Sequence, residues 1–460
     1  MLQLRSQFGP ETRAAFAALY RLSWPVITSR VGVMLMALLD TIVVGQYSSA
    51  ELGFLMLSQS LFWVPAMTSM GLLMGVQVKT AHFLGAGDLH RIGAVYQRAT
   101  GYALVLGCVF AVFLLIAGFG FLGLIVATPE MAQGARMPIV IFAASMPLFL
   151  LSIVNSQFLE ALGRTRDTMI ATILSNILNV LLLLLLVPGH FYIFGIHFSG
   201  AFGAATATAL ARSVLSIGLL IHVLCLKEAK PYDLLGKQEV DHDGAVDQRH
   251  VGYATGAAYF IEVAAFAGMT MFAGHIGEIA VASWAIVLNF ASVVFMVPMG
   301  LSAGCSVLVG KAYGAGDRES LARTGRVSFV SAGAFMSLVV LGVIAGADAL
   351  TRLYTGDASL IPYVREGLLL SCLFFIPDGL QVVAAQALRA REDILAPTVI
   401  HYISYGVIML PLGYLFCITF SWGVAGLIWA VVAASAISGT FQTGRFLWLD
   451  RRAAATVTAA

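Results

Sequence analysis

A chain that repeats itself must fold into two similar halves, and this one repeats at nearly constant spacing. Met70–Asp88 reads MGLLMGVQVKTAHFLGAGD, and Met299–Asp317 reads MGLSAGCSVLVGKAYGAGD. The offset is 229 residues and holds without a gap back to Gly45 and Gly274, where short loops are expected. A second echo, at 226, sets ALGRTRD ending at Asp167 against ALRARED ending at Asp393. A third, at 223, pairs Gly200 and Gly203 with Gly423 and Gly426. So small a drift across half a chain means that a whole unit was duplicated. The ligand is then expected between the two copies.

What each copy contains follows from composition. Of 460 residues, 59% are hydrophobic and only 11% charged, with mean hydropathy +0.90. Soluble domains carry about 25% charged residues. The chain reads as an all-α polytopic membrane protein. Its net charge of +2 matters less than where the positive residues sit. The five cysteines are odd in number and scattered through apolar runs, which suits small buried hydrophobes better than disulfides. The N-terminus lacks a signal-peptide core, so the first membrane helix is expected to act as an uncleaved anchor.

A spanning helix needs about 20 apolar residues. Twelve windows qualify: 22–45, 53–80, 97–126, 138–161, 168–189, 200–226, 251–274, 280–310, 325–347, 363–388, 394–418 and 422–446. The longest polar stretch, Lys227–His250, lies where the copies join. The expected organisation is a six-helix bundle over 1–226, a cytoplasmic linker over 227–250 and a second six-helix bundle over 251–460. Six helices per copy make both copies enter from the same side. Of 26 Lys and Arg residues, 21 fall on the side of the termini and only Arg136, Arg352 and Arg365 on the other. Arg30 and Arg212 lie inside helices. By the positive-inside rule, both termini and the linker are cytoplasmic. The location implied is the plasma membrane, in a bacterium the inner membrane.

Several motifs are readily explained away. The twin Gly-Ala-Gly-Asp turns resemble a fragment of an intramembrane aspartyl protease. Their aspartates fall in charged loops beside Arg91 and Arg318, where glycine ends one helix and Asp88 or Asp317 caps the next. Gly300-Leu-Ser-Ala-Gly304 matches a nucleophile elbow but lies inside an apolar helix rather than after a strand. No Walker A or His-Glu-x-x-His motif occurs. The chain is read as no enzyme and without a cofactor, so any energy for transport comes from an ion gradient.

Asp40, Glu160, Glu262 and Asp378 stand in the apolar windows. A charge at helix centre costs roughly 2.5–3.5 kcal/mol, so its retention calls for a use. Asp40 lies on helix 1, nearer its outer end. Glu262, on helix 7, and Asp378, on helix 10 between Pro377 and Gly379, lie near mid-depth. Low dielectric and mutual repulsion suit such a pair to exchanging a proton, a sodium ion or an organic cation. Glu160, near Arg164 at the end of helix 4, reads as a surface ion pair. The two copies carry different acidic groups. Glu262 and Asp378 correspond to Val33 and Ser152, and Asp40 corresponds to Met269. Asn176 and Asn179 on helix 5, with Thr206 and Thr208 on helix 6, are candidates to complete a site around Asp40. Arg30 and Arg212 are candidates to neutralise carboxylates. His222 and His401 read as packing residues.

Taken together, Pro25 followed by LLDTIVVG, the paired GAGD turns, FLEALGRTRD with its echo AQALRARED, Glu262, and PDGLQVVAAQALR resemble one family. This is the multidrug and toxic compound extrusion (MATE) transporters, and the resemblance runs from Leu22 to about Leu447. It implies twelve helices in two pseudo-symmetric bundles forming a V. It also implies export of organic, often cationic and aromatic compounds in exchange for Na+ or H+. The family's first-half cation site maps onto Asp40, Asn179 and Thr208. Its further group four residues after the asparagine is Leu183 here. The second-half acidic pair of one branch maps onto Glu262 and Asp378, and a tyrosine one turn before the aspartate in some members is Phe374. Sodium, as the coupling ion, would be held at Glu262, Asp378 or Asp40. The implied partners are small organic cations and membrane lipid, with no nucleic acid, and the chain is expected to act as a monomer. Two alternatives share the fold: a flippase for a lipid-linked precursor and a narrow exporter of one metabolite. The first would want a cavity rich in arginine. An intramembrane enzyme or receptor is the remaining class.

Overall fold

The structure is a computed structural model that describes residues 9–125, 128–189, 191–193, 196–236 and 241–458. Among these, twelve helices are long and apolar enough to cross a membrane. They are α1 Pro10–Tyr47, α2 Ser49–Ala86, α3 His90–Phe121, α4 Pro129–Leu162, α5 Thr165–Leu186 and α6 Gly200–Cys225. The second six are α7 His242–Ile276, α8 Glu278–Gly314, α9 Arg318–Tyr354, α10 Ile361–Ala390, α11 Leu395–Thr419 and α12 Gly423–Ala453. The chain is an integral membrane protein.

Residue placement inverts that of a soluble protein. Val105, Leu174, Leu184, Leu338 and Leu341 point outward, whereas Asp40, Gln77, Thr80, Asn155, Asn179 and Gln381 are buried. Lipid solvates apolar side chains, so polar ones gather where other helices can satisfy them. Cys305, Cys372 and Cys417 are buried as expected. Cys108 and Cys225 are exposed instead.

Helix ends follow local chemistry more than hydropathy. Both GAGD turns end a helix through a left-handed glycine, Gly87 (φ 75°) and Gly316 (φ 70°). The following amides close the turn, Asp88 N–H on the Phe83 carbonyl and Asp317 N–H on the Ala312 carbonyl. The aspartates then differ. Asp317 caps α9 by accepting the Ser320 amide at 3.0 Å, while α3 starts after Leu89 with no side-chain cap, so Asp88 is not one. Helix 1 continues past Gly45 to Tyr47, and Ser48 caps α2. A hairpin of Phe191–Ile193 and Ile196–Phe198 lies between α5 and α6, where no strand was expected.

By packing, the chain divides into two compact units, Thr28–Gly256 and Met1–Ile27 with Ala257–Ala460. These boundaries fall inside α1 and α7, not at the polar stretch between the copies, and they are 229 residues apart like the repeat itself. The duplicated Met-Gly-Leu segment is the reason. In the first unit, Gly71 and Gly75 of α2 lie against Gly252 and Gly256 of α7. A Cβ on Gly71 would stand 2.7 Å from the Gly256 Cα, and one on Gly75 would stand 2.1 Å from the Gln248 carbonyl oxygen. In the second unit, Gly300 and Gly304 of α8 lie against Ile27 and Ser23 of α1, with equivalent would-be contacts of 2.3 Å to the Ile27 and Ser23 side chains. Small residues four apart let two helix backbones approach closely. The Gly-x-Ser-x-Gly string is therefore a packing surface, and Ser302 donates to the Met299 carbonyl of its own helix.

The expected linker is largely structured. Lys227–Tyr232 form a 3-10 helix, and Asp241 caps α7 by accepting the Gly244 amide at 2.8 Å. This cap starts α7 well before its apolar window, so the polar residues up to His250 are helical. Residues 237–240 lie outside the described part. Asp241 also pairs with Arg91 at 2.9 Å and Arg98 at 3.5 Å. Gln97 holds the carbonyls of Leu234 and Gly236. The Gly244 amide first, and then Arg91, pull the Asp241 carboxyl down to about 2. A carboxyl with a depressed folded pKa contributes above its unfolded value and loses the contribution as pH falls through the folded one. This attachment is therefore expected to be intact at neutral pH. Leu235 is highly exposed beside it. A Leu235→Cys variant is expected to react with an impermeant maleimide only from the cytoplasmic side. Labelling from outside intact cells would reverse the orientation that the basic residues imply.

Candidate functional site

The first site forms where α1, α2, α5 and α6 meet. Asp40 is fully buried. Its Oδ2 accepts the Thr208 hydroxyl at 2.7 Å and the Gln59 amide at 3.4 Å, and its Oδ1 accepts the Asn179 amide at 3.4 Å. Asn179 also donates to Thr208 at 3.0 Å. The Asn179 Oδ1 is buried without a protein partner, which leaves a free oxygen beside the carboxylate. One turn along α6, Arg212 lies within Coulombic reach of Asp40. The rings of Phe62, Trp63 and Phe149 surround its guanidinium, with centroids at 5.1, 5.7 and 5.3 Å. Those aromatic faces hold the cation without a second carboxylate.

Sequence reading brought three of these residues together and included two that lie elsewhere. Asn176 donates to the Gly32 carbonyl at 2.9 Å and so ties α5 to α1. Thr206 bonds the Phe202 carbonyl of its own helix. Leu183, four residues past Asn179, is part of the apolar core. Gln59, from α2, was missed. A glutamine in an apolar window was its only signal.

Glu160 is not a surface pair. It is buried, takes the Gln77 amide at 3.1 Å and lies 3.6 Å from Arg30. Arg164 turns to Asp167 at 2.6 Å, and His222 reaches the same carboxylate at 2.9 Å. The α4 helix ends at Gly163 in a left-handed turn, which carries Arg164 away from the side that Glu160 faces. Arg30 is thus engaged inside the unit by Glu160, and Arg212 by aromatic rings and Asp40.

The second site lies in the other unit. Glu262 on α7 is bonded to His401 Nε2 on α11 at 3.1 Å. Asp378 on α10 accepts the Tyr405 hydroxyl at 3.2 Å and the Gln381 amide at 3.4 Å. The His401 and Tyr405 rings stack with centroids 4.6 Å apart. The two carboxylates are therefore linked by one hydrogen bond at each end and a ring stack between, with no hydrogen bond from His401 to Tyr405, and His401 Nδ1 is buried without a partner. Ser435 and Ser438 of α12 back it, at 3.4 Å from the Tyr405 hydroxyl and 3.2 Å from the Gln381 carbonyl. The hydroxyl absent at Phe374 is supplied from α11 by Tyr405.

Local backbone explains how α11 presents both rings. Residues Tyr402–Met409 form a π-helix immediately after His401. Pro411 follows, without an amide to give to the preceding turn, and its ring crowds the carbonyl four residues back. Widening the turn relieves this, and π segments often mark functional sites. His401 is thereby placed on Glu262, not in the apolar packing role expected of it.

With the geometry in hand, comparison with known proteins decides the family. The MatE family model matches residues 25–185 and 254–415. The chain belongs to the MatE family. Both copies of the duplicated unit are covered, each by one match. The chain is similar to a probable multidrug resistance protein NorM of Caulobacter vibrioides, 39% identical over 445 residues, with 95% of this chain and 93% of that protein covered. It is also similar to a probable multidrug resistance protein NorM of Xanthomonas axonopodis pv. citri, at 25% identity with 98% of each covered. Among solved structures it superposes on a MOP superfamily transporter from Pyrococcus furiosus at TM-score 0.86 and 19% identity, covering 96% of each chain. A eukaryotic MATE transporter gives TM-score 0.86 at 16% identity, covering 95% of this chain and 96% of that one. At such identities these structures speak to the fold, which is that of MATE transporters. The MatE family is one of transporters.

Proposed function

We propose that this MatE protein is a secondary antiporter. It exports organic, often cationic and aromatic compounds in exchange for Na+ or H+ by alternating access. The observation that carries this is a pair of carboxylate sites within the helices, one in each unit, with Asp40 fully buried and Glu262 and Asp378 half-buried. Asp40 is surrounded by oxygen donors, namely the Thr208 hydroxyl and the free Asn179 carbonyl, as a hard cation requires. Glu262 shares a hydrogen bond with the His401 imidazole and Asp378 accepts one from the Tyr405 phenol, so each carboxylate has a partner with which to gain or release a proton. Similarity to probable multidrug resistance proteins supports multidrug cargo. On this reading 1–226 and 251–460 are the two bundles that rock against each other, Lys227–His250 joins them on the cytoplasmic side, and the protein works as a monomer in the plasma membrane.

A cation can shift the populations of two conformations only if it binds them unequally. At Asp40 that inequality would come from the Thr208 and Asn179 oxygens, which stand beside the carboxylate in this conformation. In reconstituted vesicles, Asp40→Asn is expected to bind a cationic dye yet lose turnover, by more than tenfold. If Asp40→Asn exports like the wild type while Glu262→Gln does not, the first unit is scaffold and coupling resides in the second alone.

A further inference from the structure

The unit Thr28–Gly256 contains a cavity of about 250 Å³ that transport as proposed does not use. It lies between α2, α3 and α7 at the ends that carry the GAGD turn and the linker. Its polar wall is Arg98 and Tyr102 of α3 with Gln248 and Arg249 of α7, and its apolar wall includes Leu72 and Val76 of α2. Gly75, whose contact with the Gln248 carbonyl closes α2 onto α7, also lines it.

Three features describe what would fit. The first is an excess of positive charge. Arg98 shares Asp241 with Arg91, and Lys79 is opposite Asp247 at 3.5 Å, while Arg249 faces no carboxylate among the described residues. The Arg249 Nε donates only to the Ala245 carbonyl of its own turn, and the Arg98 Nε is buried without a partner. The second is an unmet acceptor. Gln248 is 7% exposed, gives its amide to the Val95 carbonyl at 3.0 Å, and leaves Oε1 buried with no donor. A buried polar atom left so costs about 1–3 kcal/mol, which a ligand carrying an N–H or O–H group would recover. The third is access for a chain. Tyr102 of the wall lies close to Tyr253 of α7, which is 51% exposed.

We propose that this cavity binds a phosphoryl group that carries a hydrogen-bond donor, as in a phospholipid headgroup of the glycerol or ethanolamine type. The phosphate sits between Arg98 and Arg249, the donor reaches Gln248 Oε1, and the glycerol backbone lies on Leu72, Val76 and Tyr102. Basic pockets between membrane helices on the cytoplasmic side commonly hold such headgroups. An occupant ties α3 to α7 beside the glycine contact. The assignment does not depend on the transport reading.

The test uses the purified full-length protein in a neutral detergent, with bound molecules counted by native mass spectrometry. Three probes are titrated: short-chain phosphatidylglycerol, short-chain phosphatidylcholine and inorganic phosphate. Phosphatidylglycerol is expected to saturate one site, with phosphatidylcholine, which lacks the donor, binding more weakly. Arg249→Gln is expected to weaken phosphatidylglycerol at least about fivefold, the weight of one surface cation. Tyr102→Trp, which fills the cavity from its apolar side, is expected to weaken it as well. Inorganic phosphate binding as tightly as the lipid and responding to Arg249→Gln would uphold the phosphoryl site and assign it a soluble source. Equal binding of phosphatidylcholine and phosphatidylglycerol, or unchanged binding in both folded variants, would overturn the proposal.

Discussion

Glu262→Gln and Asp378→Asn are each expected to reduce gradient-driven dye efflux to background while leaving the thermal midpoint of the purified protein near that of the wild type. Both substitutions keep shape and remove only the ability to ionise. Glu262 meets an imidazole, and Asp378 meets a phenol and an amide, so an amide at either place still finds partners. What is lost is the site's change of charge, and with it any preference of one conformation for the loaded form. Tyr405→Phe tests the link between them. It removes the 3.2 Å bond to Asp378 while keeping the ring that stacks on His401. A hydrogen bond to a charged group contributes about 1.5–3 kcal/mol, so efflux is expected to fall roughly tenfold or more without vanishing. Efflux at wild-type rate in either carboxylate variant would remove these groups from the coupling machinery.

The second large effect is expected where no titratable group is involved. Gly75→Val would place a side chain where the Gln248 carbonyl oxygen is 2.1 Å from the Cβ position. No rotamer of a neighbour can relieve a contact with backbone, so α2 and α7 must separate. Overpacking of this kind costs about 1–3 kcal/mol. The gap also exposes polar backbone that the close approach had covered. Efflux is expected to fall severalfold and the midpoint in detergent to drop by several degrees. Gly300→Val, whose Cβ position is 2.9 Å from the Ile27 amide nitrogen, is expected to behave alike in the other unit. Gly101→Val is the control, because nothing lies within 4 Å of its Cβ position. If Gly75→Val matches Gly101→Val in stability and transport, the close approach is incidental.

Much of this molecule could be read from its sequence, and the failures share a cause. The twelve helices were legible because lipid imposes length and apolarity on each one separately. Asp40, Glu262 and Asp378 were legible because a carboxylate in an apolar window is conspicuous without knowledge of its neighbours. Partners were harder. Glu160 was assigned to Arg164, four residues away, yet Arg30 and Gln77 from distant helices hold it. Tyr405 and His401 look like packing residues until a π-helix in α11 sets them on the two carboxylates. The duplicated Met-Gly-Leu motif was visible at once, but its purpose was not. Glycines four apart indicate a close approach without saying to what, and the answer lay in α1 and α7, far along the chain. Sequence reports what each helix can tolerate, and the pairing of helices is a property of the fold.

The account rests on exchange of a cation for cargo, and one measurement addresses that directly. Proteoliposomes carrying the wild-type protein are given a cationic aromatic dye and then a sodium gradient or a proton gradient, each alone. Dye movement is expected against its own gradient under at least one of them, with the driving cation moving the opposite way in a fixed ratio. Dissipating that gradient with the matching ionophore should stop it. Dye movement that continues at the same rate with both gradients collapsed, or that proceeds with no counter-flow of Na+ or H+, would contradict antiport.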